Sequence, residues 1–216
     1  MPPFEVLLLS ALVATSAALP TISPMPMYRG LSTGFTSNKP TEATSQHQRT
    51  IFEGPEDLHS SYQCFGSDST ESLSASSWLC FNDLWRINEA AILSKNGGDT
   101  YIKHYIKEAL LHVAGESAID SRLILALMMQ ESSGRASISC RSQSNGRSKC
   151  GLMQATDGSS FDSARQAASI LQMVREGIEG DDLDHALDGD ERYLSDVANR
   201  LLGWDGRGKG FATCAG

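Results

Sequence analysis

A run of seven apolar residues from Leu123 to Met129 constrains the fold of this 216-residue chain more than any other feature. Asp120 precedes the run at the position of an N-terminal helix cap, and Gly134 follows it at the position of a helix end. A helix that is apolar on every side has no face to present to water, so it must be buried all round. The run therefore predicts the central helix of a helical domain.

Two further helices are predicted before this central helix. In the first, apolar residues recur at three- and four-residue steps from about Ser76, and Gly97 ends the segment. Asp99 is placed to cap the second helix, which we expect to end at Gly115. The inward positions predicted for the second helix are Ile102, Ile106, Ala109, Leu110 and Val113.

Two helices are also predicted after the central one. Asp162 is expected to open the first of them, and the second is expected to run from about Glu191. The predicted inward positions are Ala164, Ala167, Ala168, Leu171, Val174 and Ile178 in the first, and Leu194, Val197, Ala198, Leu201 and Leu202 in the second. The expected fold class is therefore mainly α, built around a buried central helix, with at most a minor β-hairpin in the loop 137–149.

The N-terminal residues predict export. Val6–Ala14 is a mostly apolar run followed by small residues up to position 18, which is the layout of a secretory signal peptide over 1–18. The alternative is a membrane anchor, but a spanning helix needs about 20 apolar residues. Residues 19–60 are rich in Ser, Thr and Pro, so we expect a disordered leader, and 61–216 remain for one domain. No membrane association is expected after cleavage.

The charge balance and the cysteines narrow the expected partners. The chain carries 18 basic and 26 acidic residues, a net charge of −8, so we expect no nucleic-acid partner. No metal site is expected, because the cysteines lack metal-ligand spacing.

In an exported protein the cysteines should form disulfides. Pairing Cys64 with Cys80 and Cys140 with Cys150 is preferred, although the sequence leaves the pairing open. Cys214 would then be unpaired.

Glu131 is the candidate catalytic residue. It lies on the last turn of the predicted central helix, where burial and the negative end of the helix dipole both raise the pKa of a carboxyl. A carboxylic acid that stays protonated near neutral pH is what protonation of a glycosidic oxygen requires. The alternative interpretation is an ordinary surface Glu on the final turn of a helix.

Two short motifs carry a resemblance to a known family. Glu131–Gly134 reads Glu-Ser-Ser-Gly after an apolar helix, and Gly151–Gln154 reads Gly-Leu-Met-Gln seventeen residues beyond Gly134. Together they resemble the soluble lytic transglycosylase (SLT) domain and goose-type lysozyme, in the lysozyme-like superfamily. With the segment Tyr193–Trp204, the chain is similar to a fungal secreted branch over residues 80–204.

The resemblance implies a lysozyme-like helical domain that cleaves β-1,4 links in an N-acetylated polysaccharide, peptidoglycan first and chitin second. It implies that Glu131 acts as acid and then as base, and that Ser132, Met153 and Gln154 contact the sugar, with no cofactor. The alternative for Met153 and Gln154 is a buried Met and a solvated Gln. A Cys140–Cys150 bridge would hold the loop between the two motifs.

The sequence departs from the family at two points. The Tyr-Asn-Ser-Gly or Tyr-Asn-Ala-Gly segment, whose Tyr lies near the acid in the family, is absent. The resemblance also implies that a segment with a further helix is missing near 180–181. No second carboxylate is evident, because Asp157 and Asp162 are better explained as turn and cap residues. A single acid suffices if the acetamido group of the substrate attacks the anomeric carbon. The alternative function is a catalytically inactive secreted sugar-binding or effector protein on the same fold.

Overall fold

The computed structural model describes residues 59–65, 74–179 and 191–214. The described residues form a mainly helical structure, which confirms the predicted class. The five α-helices within these ranges are α1 (Phe81–Lys95), α2 (Thr100–Ser117), α3 (Ser121–Ser132), α4 (Gln166–Glu179) and α5 (Glu191–Leu201). The three strands are β1 (Arg141–Ser142), β2 (Ser148–Cys150) and β3 (Ala155–Thr156), and Ser163–Arg165 and Gly210–Thr213 are short 3-10 turns.

Three sequence predictions lie outside the described residues. These are the signal peptide at 1–18, almost all of the leader at 19–60, and the missing segment near 180–181. Among the residues that are described, no helix is long and apolar enough to cross a membrane.

Helix α3 is the buried centre of the structure, as predicted. Every residue from Leu123 to Met129 is at most 5% exposed, and α1, α2 and α5 all contact α3. The Asp120 carboxylate accepts a hydrogen bond from Arg122 N and begins the helix. Gly134 follows the helix with φ 74°, and a Cβ atom there would lie 2.6 Å from Ile92, so α1 packs against bare backbone at this point.

Helix α2 follows the prediction at its start and departs from it at its end. Asp99 Oδ1 accepts from the backbone N–H groups of Tyr101 and Ile102, and all five predicted inward positions are buried. The predicted stop at Gly115 is wrong, because the helix continues to Ser117 and ends at Ala118 in the left-handed conformation. A glycine inside a helix costs only about 1 kcal/mol, which the buried face of α2 offsets.

The predicted inward face of α4 is partly wrong. Asp162 caps the 3-10 turn and α4 begins only at Gln166, so Ala164 lies before the helix and is exposed. Ala167 and Ala168 are also exposed, and Leu171 is half-buried. The buried positions are Ser169, Ile170, Met173, Val174 and Ile178. Burying Ile and Met side chains removes more apolar surface from water than burying alanines does, and this decides which face turns inward.

The start of α5 and the minor hairpin agree with the sequence, and the predicted inward face of α5 is partly wrong. Helix α5 begins at Glu191 and buries Val197, Ala198 and Leu201, whereas Leu194 is only half-buried and Leu202 lies just past the end of the helix. The hairpin predicted in 137–149 is present as β1 and β2, and β3 adds a third antiparallel strand in the order β1-β2-β3.

One of the two preferred disulfides is present in the structure and the other is not. Cys140 pairs with Cys150, but Cys64 pairs with Cys214, so the preferred Cys64–Cys80 bridge is wrong. Cys80 is an exposed free cysteine, and all five cysteines are among the described residues. Cys64 pairs with Cys214 because of the position of residues 59–65, which we call the N-terminal strap. The strap runs along α5 and places Cys64 beside the C-terminal turn.

Candidate functional site

The candidate site is a hydrogen bond between a carboxyl and a phenol on two different helices. Glu131 lies on the last turn of α3, and Tyr193 lies on the first turn of α5. Tyr193 Oη donates to Glu131 Oε1 at 2.8 Å. Because α5 packs against α3, the pair meets where the two helices contact.

The environment of Tyr193 keeps its phenol protonated. Burial raises the pKa of Tyr193, and the charge and the hydrogen bond of Glu131 raise it further. Arg200 acts weakly in the opposite direction. The phenol is therefore a permanent donor at any physiological pH. Such a donor holds the Glu131 carboxyl in one orientation and stabilises its ionised form.

A polar network holds the ends of the same two helices together. Arg200 Nε donates to Gln130 Oε1 at 2.9 Å, and Gln130 Nε2 donates to Asp196 Oδ2 at 3.2 Å. Gln130 is the residue before Glu131, while Asp196 and Arg200 lie one and two turns beyond Tyr193 on α5. The network therefore restrains both members of the Glu131–Tyr193 pair.

Arg200 is a buried cation within this network. Its side chain packs over the Trp204 ring with the guanidinium carbon 5.1 Å from the ring centroid, and only 8% of the residue is exposed. Burial lowers the pKa of Arg200, and the nearby carboxylates of Asp196 and Asp205 offset part of that effect. An arginine remains charged under these conditions, so it supplies a fixed positive charge close to Tyr193.

The N-terminal strap also makes hydrogen bonds to this network. Tyr62 Oη donates its one hydrogen to Asp196 Oδ1 at 2.8 Å and lies within hydrogen-bond distance, 2.9 Å, of the Ser195 hydroxyl. Burial raises the pKa of Tyr62 to about 12. The backbone of Gln63 and the side chain of Asn199 exchange two hydrogen bonds. These contacts place the strap on α5, the helix that carries Tyr193.

The other predicted sugar contacts are buried. Ser132 Oγ donates to Met128 O and accepts from Gly134 N, so its hydroxyl closes the end of α3. Met153 lies against Gly177 of α4, where a Cβ atom would be 2.2 Å from Met153 Cβ. Gln154 is 2% exposed, has a φ of 50°, and donates from Nε2 to Gly151 O. The structure brings Glu131 together with Tyr193, packs Met153 against α4, and buries the Gln154 side chain beside Gly151. Their role as sugar contacts stays a prediction.

The two acidic residues nearest to the motifs in sequence, Asp157 and Asp162, are both held by hydrogen bonds to neighbouring residues. The Asp157 carboxylate accepts from Ser148 N and Arg147 Nε, and these two bonds lower the pKa of Asp157. Asp162 accepts from Ala164 N and pairs with Arg165. The interpretation of both residues as turn and cap residues is confirmed.

Sequence reasoning missed Tyr193, Gln130 and Arg200. Tyr193 lay within a segment used for the resemblance, and no role was assigned to it. The available signal was the spacing of polar residues on the inward face of α5, where Ser195, Asn199 and Arg200 are buried beside the apolar positions. A buried polar stripe on a helix indicates a network with a neighbouring element.

A separate cavity of about 230 Å³ lies between α2 and α4. Its lining residues are Tyr105, Glu108, Ala109, His112, Ala167 and Leu171. None of these belongs to α3 or α5, so the cavity is separate from the Glu131–Tyr193 pair. Within the described ranges, no group of three or more His, Cys, Asp or Glu side chains is placed to hold a metal ion.

Comparison with known proteins gives no relative for this chain: no family model, no curated protein and no solved structure matches it.

Proposed function

We propose that this chain is a secreted lysozyme-like glycosidase or lytic transglycosylase that cleaves β-1,4 links in an N-acetylated polysaccharide, with Glu131 as its acid and base. The observation that carries the proposal is the 2.8 Å hydrogen bond from Tyr193 Oη to Glu131 Oε1, at the end of a helix that is buried from Leu123 to Met129. The two disulfides, one of which joins the N-terminal strap to the C-terminal turn, support an oxidising destination.

In the proposed mechanism, the Glu131 carboxyl protonates the glycosidic oxygen as the bond to the anomeric carbon breaks. The acetamido oxygen of the same sugar attacks that carbon, so no second carboxylate is required. Glu131, now ionised, then removes a proton from an incoming water or from a hydroxyl of the sugar. The oxygen of that group attacks the anomeric carbon and displaces the acetamido oxygen, which gives a hydrolysed product with water or an anhydro product with the sugar hydroxyl. During this ionised stage the Tyr193 phenol stabilises the carboxylate.

Tyr193 supports the proposal for a second reason. The sequence lacks the tetrapeptide whose tyrosine accompanies the acid in the resembled family. In the structure a tyrosine from α5 donates to Glu131 instead, so the absence of the tetrapeptide does not leave the acid without a phenolic partner.

The second candidate is a catalytically inactive secreted protein on the same fold, either a sugar-binding protein or an effector. Inactivity is favoured by the burial of Ser132, Met153 and Gln154, which are 7%, 6% and 2% exposed. In this conformation those three side chains offer little surface to a polysaccharide beside Glu131, so any sugar binding would use other parts of the surface.

The test is release of soluble fragments from purified peptidoglycan and from chitin between pH 5 and 7. We expect wild-type protein to release fragments and Glu131→Gln to lose at least about 100-fold, because the amide cannot donate the proton. Glu179→Gln makes the same chemical change at an exposed position on α4 and should leave the rate unchanged. Retained binding with no release by the wild type would establish the second candidate, and equal release by wild type and Glu131→Gln would exclude Glu131 as the acid.

A further inference from the structure

The cavity of about 230 Å³ between α2 and α4 is large enough for a small ligand and shares no lining residue with the Glu131–Tyr193 pair. Three of its lining residues, Glu108, His112 and Ala167, are exposed, so the cavity opens to solvent. An engineered cavity of about 150 Å³ already binds benzene. The cavity between α2 and α4 therefore has room for a single six-membered sugar ring.

Small side chains on both helices form the apolar part of this cavity. Ala109 on α2 and Ala167 on α4 both line it, together with the half-buried Leu171. Because alanine has no atoms beyond Cβ, a hollow remains between the two helices at this level. The hollow suits a small apolar substituent such as a methyl group.

Two tyrosines of α2 add aromatic surface at the same place. Tyr105 lines the cavity, and Tyr101, one helical turn earlier, is 70% exposed. Side chains four residues apart lie on the same face of a helix, about 6 Å apart along its axis. The face of an aromatic ring is electron-rich. The two tyrosines therefore offer neighbouring surfaces on which the C–H groups of sugar rings pack.

The polar groups at the cavity leave one carboxylate available to a ligand. Glu116 accepts hydrogen bonds from Arg175 Nε at 2.9 Å and from Arg175 Nη2 at 2.8 Å. His112 Nε2 lies 3.1 Å from Glu116 Oε1 and 3.3 Å from Arg175 Nη2. No described residue pairs with or hydrogen-bonds to the Glu108 carboxylate. Glu108 is thus the acceptor that remains at the cavity.

The charges around the cavity favour a neutral ligand. The Glu108 carboxylate repels an anion, and the chain as a whole carries a net charge of −8. A cation is attracted by Glu108 but repelled by the Arg175 guanidinium beside His112, and by the positive end of the α4 dipole near Ala167. A neutral molecule whose hydroxyl or amide groups donate to Glu108 meets neither repulsion.

We propose that the cavity between α2 and α4 binds a sugar unit of a neutral N-acetylated glycan such as chitin. The sugar ring packs on Tyr105, a hydroxyl or the amide N–H donates to Glu108, and the acetamido methyl group enters the hollow between Ala109 and Ala167. Tyr101 receives the next sugar along the chain.

This inference deepens the proposed function and rests on it for the class of ligand. It adds a second glycan contact on a pair of helices that does not carry Glu131 or Tyr193. It also narrows the substrate class, because an unpaired carboxylate at the cavity selects a neutral N-acetylated glycan over carboxylate-bearing peptidoglycan.

The experiment measures the affinity of the full chain for soluble tri-N-acetylchitotriose by calorimetry. All proteins carry Glu131→Gln, so binding is measured independently of turnover. Ala167→Phe fills the hollow, and its matched control is Ala168→Phe, at the neighbouring exposed alanine that does not line the cavity. Glu108→Ala removes the acceptor, and Glu179→Ala is its control at an exposed position on the same protein.

We expect Glu108→Ala to bind the trisaccharide about tenfold more weakly than the parent, the loss expected for a hydrogen bond to a charged group. Ala167→Phe should lose at least as much affinity, because its ring occupies the place of the sugar substituent. Both controls should bind like the parent. The parent should bind the deacetylated, cationic trisaccharide and cellotriose more weakly than tri-N-acetylchitotriose, since neither carries the acetamido group.

Four outcomes would overturn the proposal. The first is no binding of tri-N-acetylchitotriose by the parent, and the second is equal affinity of Ala167→Phe and Ala168→Phe. The third is tighter binding of the deacetylated trisaccharide than of the N-acetylated one, which would make the cavity a site for amines. The fourth is a melting temperature lowered in Ala167→Phe and not in Ala168→Phe, which would assign the loss of affinity to folding.

The proposed function fails on different grounds. It requires fragment release by the wild-type chain, which the binding experiment does not measure. Absence of release would leave the affinity differences between the cavity variants and their controls intact, and equal affinities would leave fragment release intact.

Discussion

Tyr193 and Glu131 lie 62 positions apart in the chain and share a 2.8 Å hydrogen bond, with the phenol donating to Oε1. A donor on a carboxylate favours its ionised form. In the proposed reaction, this hydrogen bond stabilises the Glu131 carboxylate that remains after the proton has been transferred to the glycosidic oxygen.

Tyr193→Phe tests this relationship while keeping the ring and its packing. We expect the rate of fragment release to fall by roughly 10- to 100-fold, the range expected for loss of a hydrogen bond to a charged group. The measurement is the rate of fragment release together with the melting temperature, compared with wild type. A lowered melting temperature with an unchanged rate would show that the bond serves only to join α3 to α5.

Asp120 should make stability depend on pH in the acid range. Burial by itself would raise the pKa of Asp120, but the hydrogen bonds from the Arg122 side chain and backbone lower it below the usual 3.8. A folded-state pKa below the unfolded value means that the stabilisation is complete above a pH of about 4 and is lost as pH falls through the folded value. Urea unfolding of wild type and Asp120→Asn should therefore differ at pH 6 and converge toward pH 2. A gap that stays constant down to pH 2 would exclude this carboxylate as its source.

The size of the Asp120 effect should be small. The ion pair with Arg122 is partly exposed, so Asp120→Asn, which keeps a capping acceptor, should cost less than about 1 kcal/mol. Asp120→Ala also removes the cap of α3 and should cost about 1 kcal/mol more.

The two disulfides should contribute unequally to stability. In the chain-entropy description, the Cys64–Cys214 bridge, with a sequence separation of 150, contributes about 5 kcal/mol, and the Cys140–Cys150 bridge, with a separation of 10, about 3 kcal/mol. Cys64→Ser should therefore lower the urea midpoint more than Cys140→Ser does. Cys80→Ser should have no effect, because Cys80 is exposed and unbonded. If Cys80→Ser destabilised the chain as much as Cys64→Ser, the pairing in the structure would be refuted.

Two glycines within helices should respond to alanine with opposite signs. Gly115 in α2 has no atom within 4 Å of an added Cβ, so Gly115→Ala should stabilise by about 0.5–1 kcal/mol. At Gly177 in α4 the added Cβ would lie 2.2 Å from Met153 Cβ, so Gly177→Ala should destabilise by about 1–3 kcal/mol. Thermal melts of the two variants check the signs. Stabilisation by both substitutions would mean that Met153 does not pack on α4 as the structure shows.

The local features of this protein follow from its sequence. The caps at Asp99 and Asp120 and the all-apolar run of α3 were predicted because each depends only on residues within a turn or two of one another. The minor hairpin and the Cys140–Cys150 bridge are local in the same sense, since both close a loop of about ten residues.

The relationships that define the candidate site were decided by tertiary packing. The Tyr193–Glu131 bond, the Arg200–Gln130 bond and the Cys64–Cys214 bridge span 62, 70 and 150 positions. Sequence spacing has no bearing on such pairs, because they meet only when α5 packs against α3 and the N-terminal strap runs along α5. By itself, the sequence determined which helix must be buried and that Glu131 stands at its end. Only the folded chain determined which phenol and which cation reach that end, and which cysteine pairs with Cys64. Contacts between such distant residues depend on how the apolar faces of separate helices are covered.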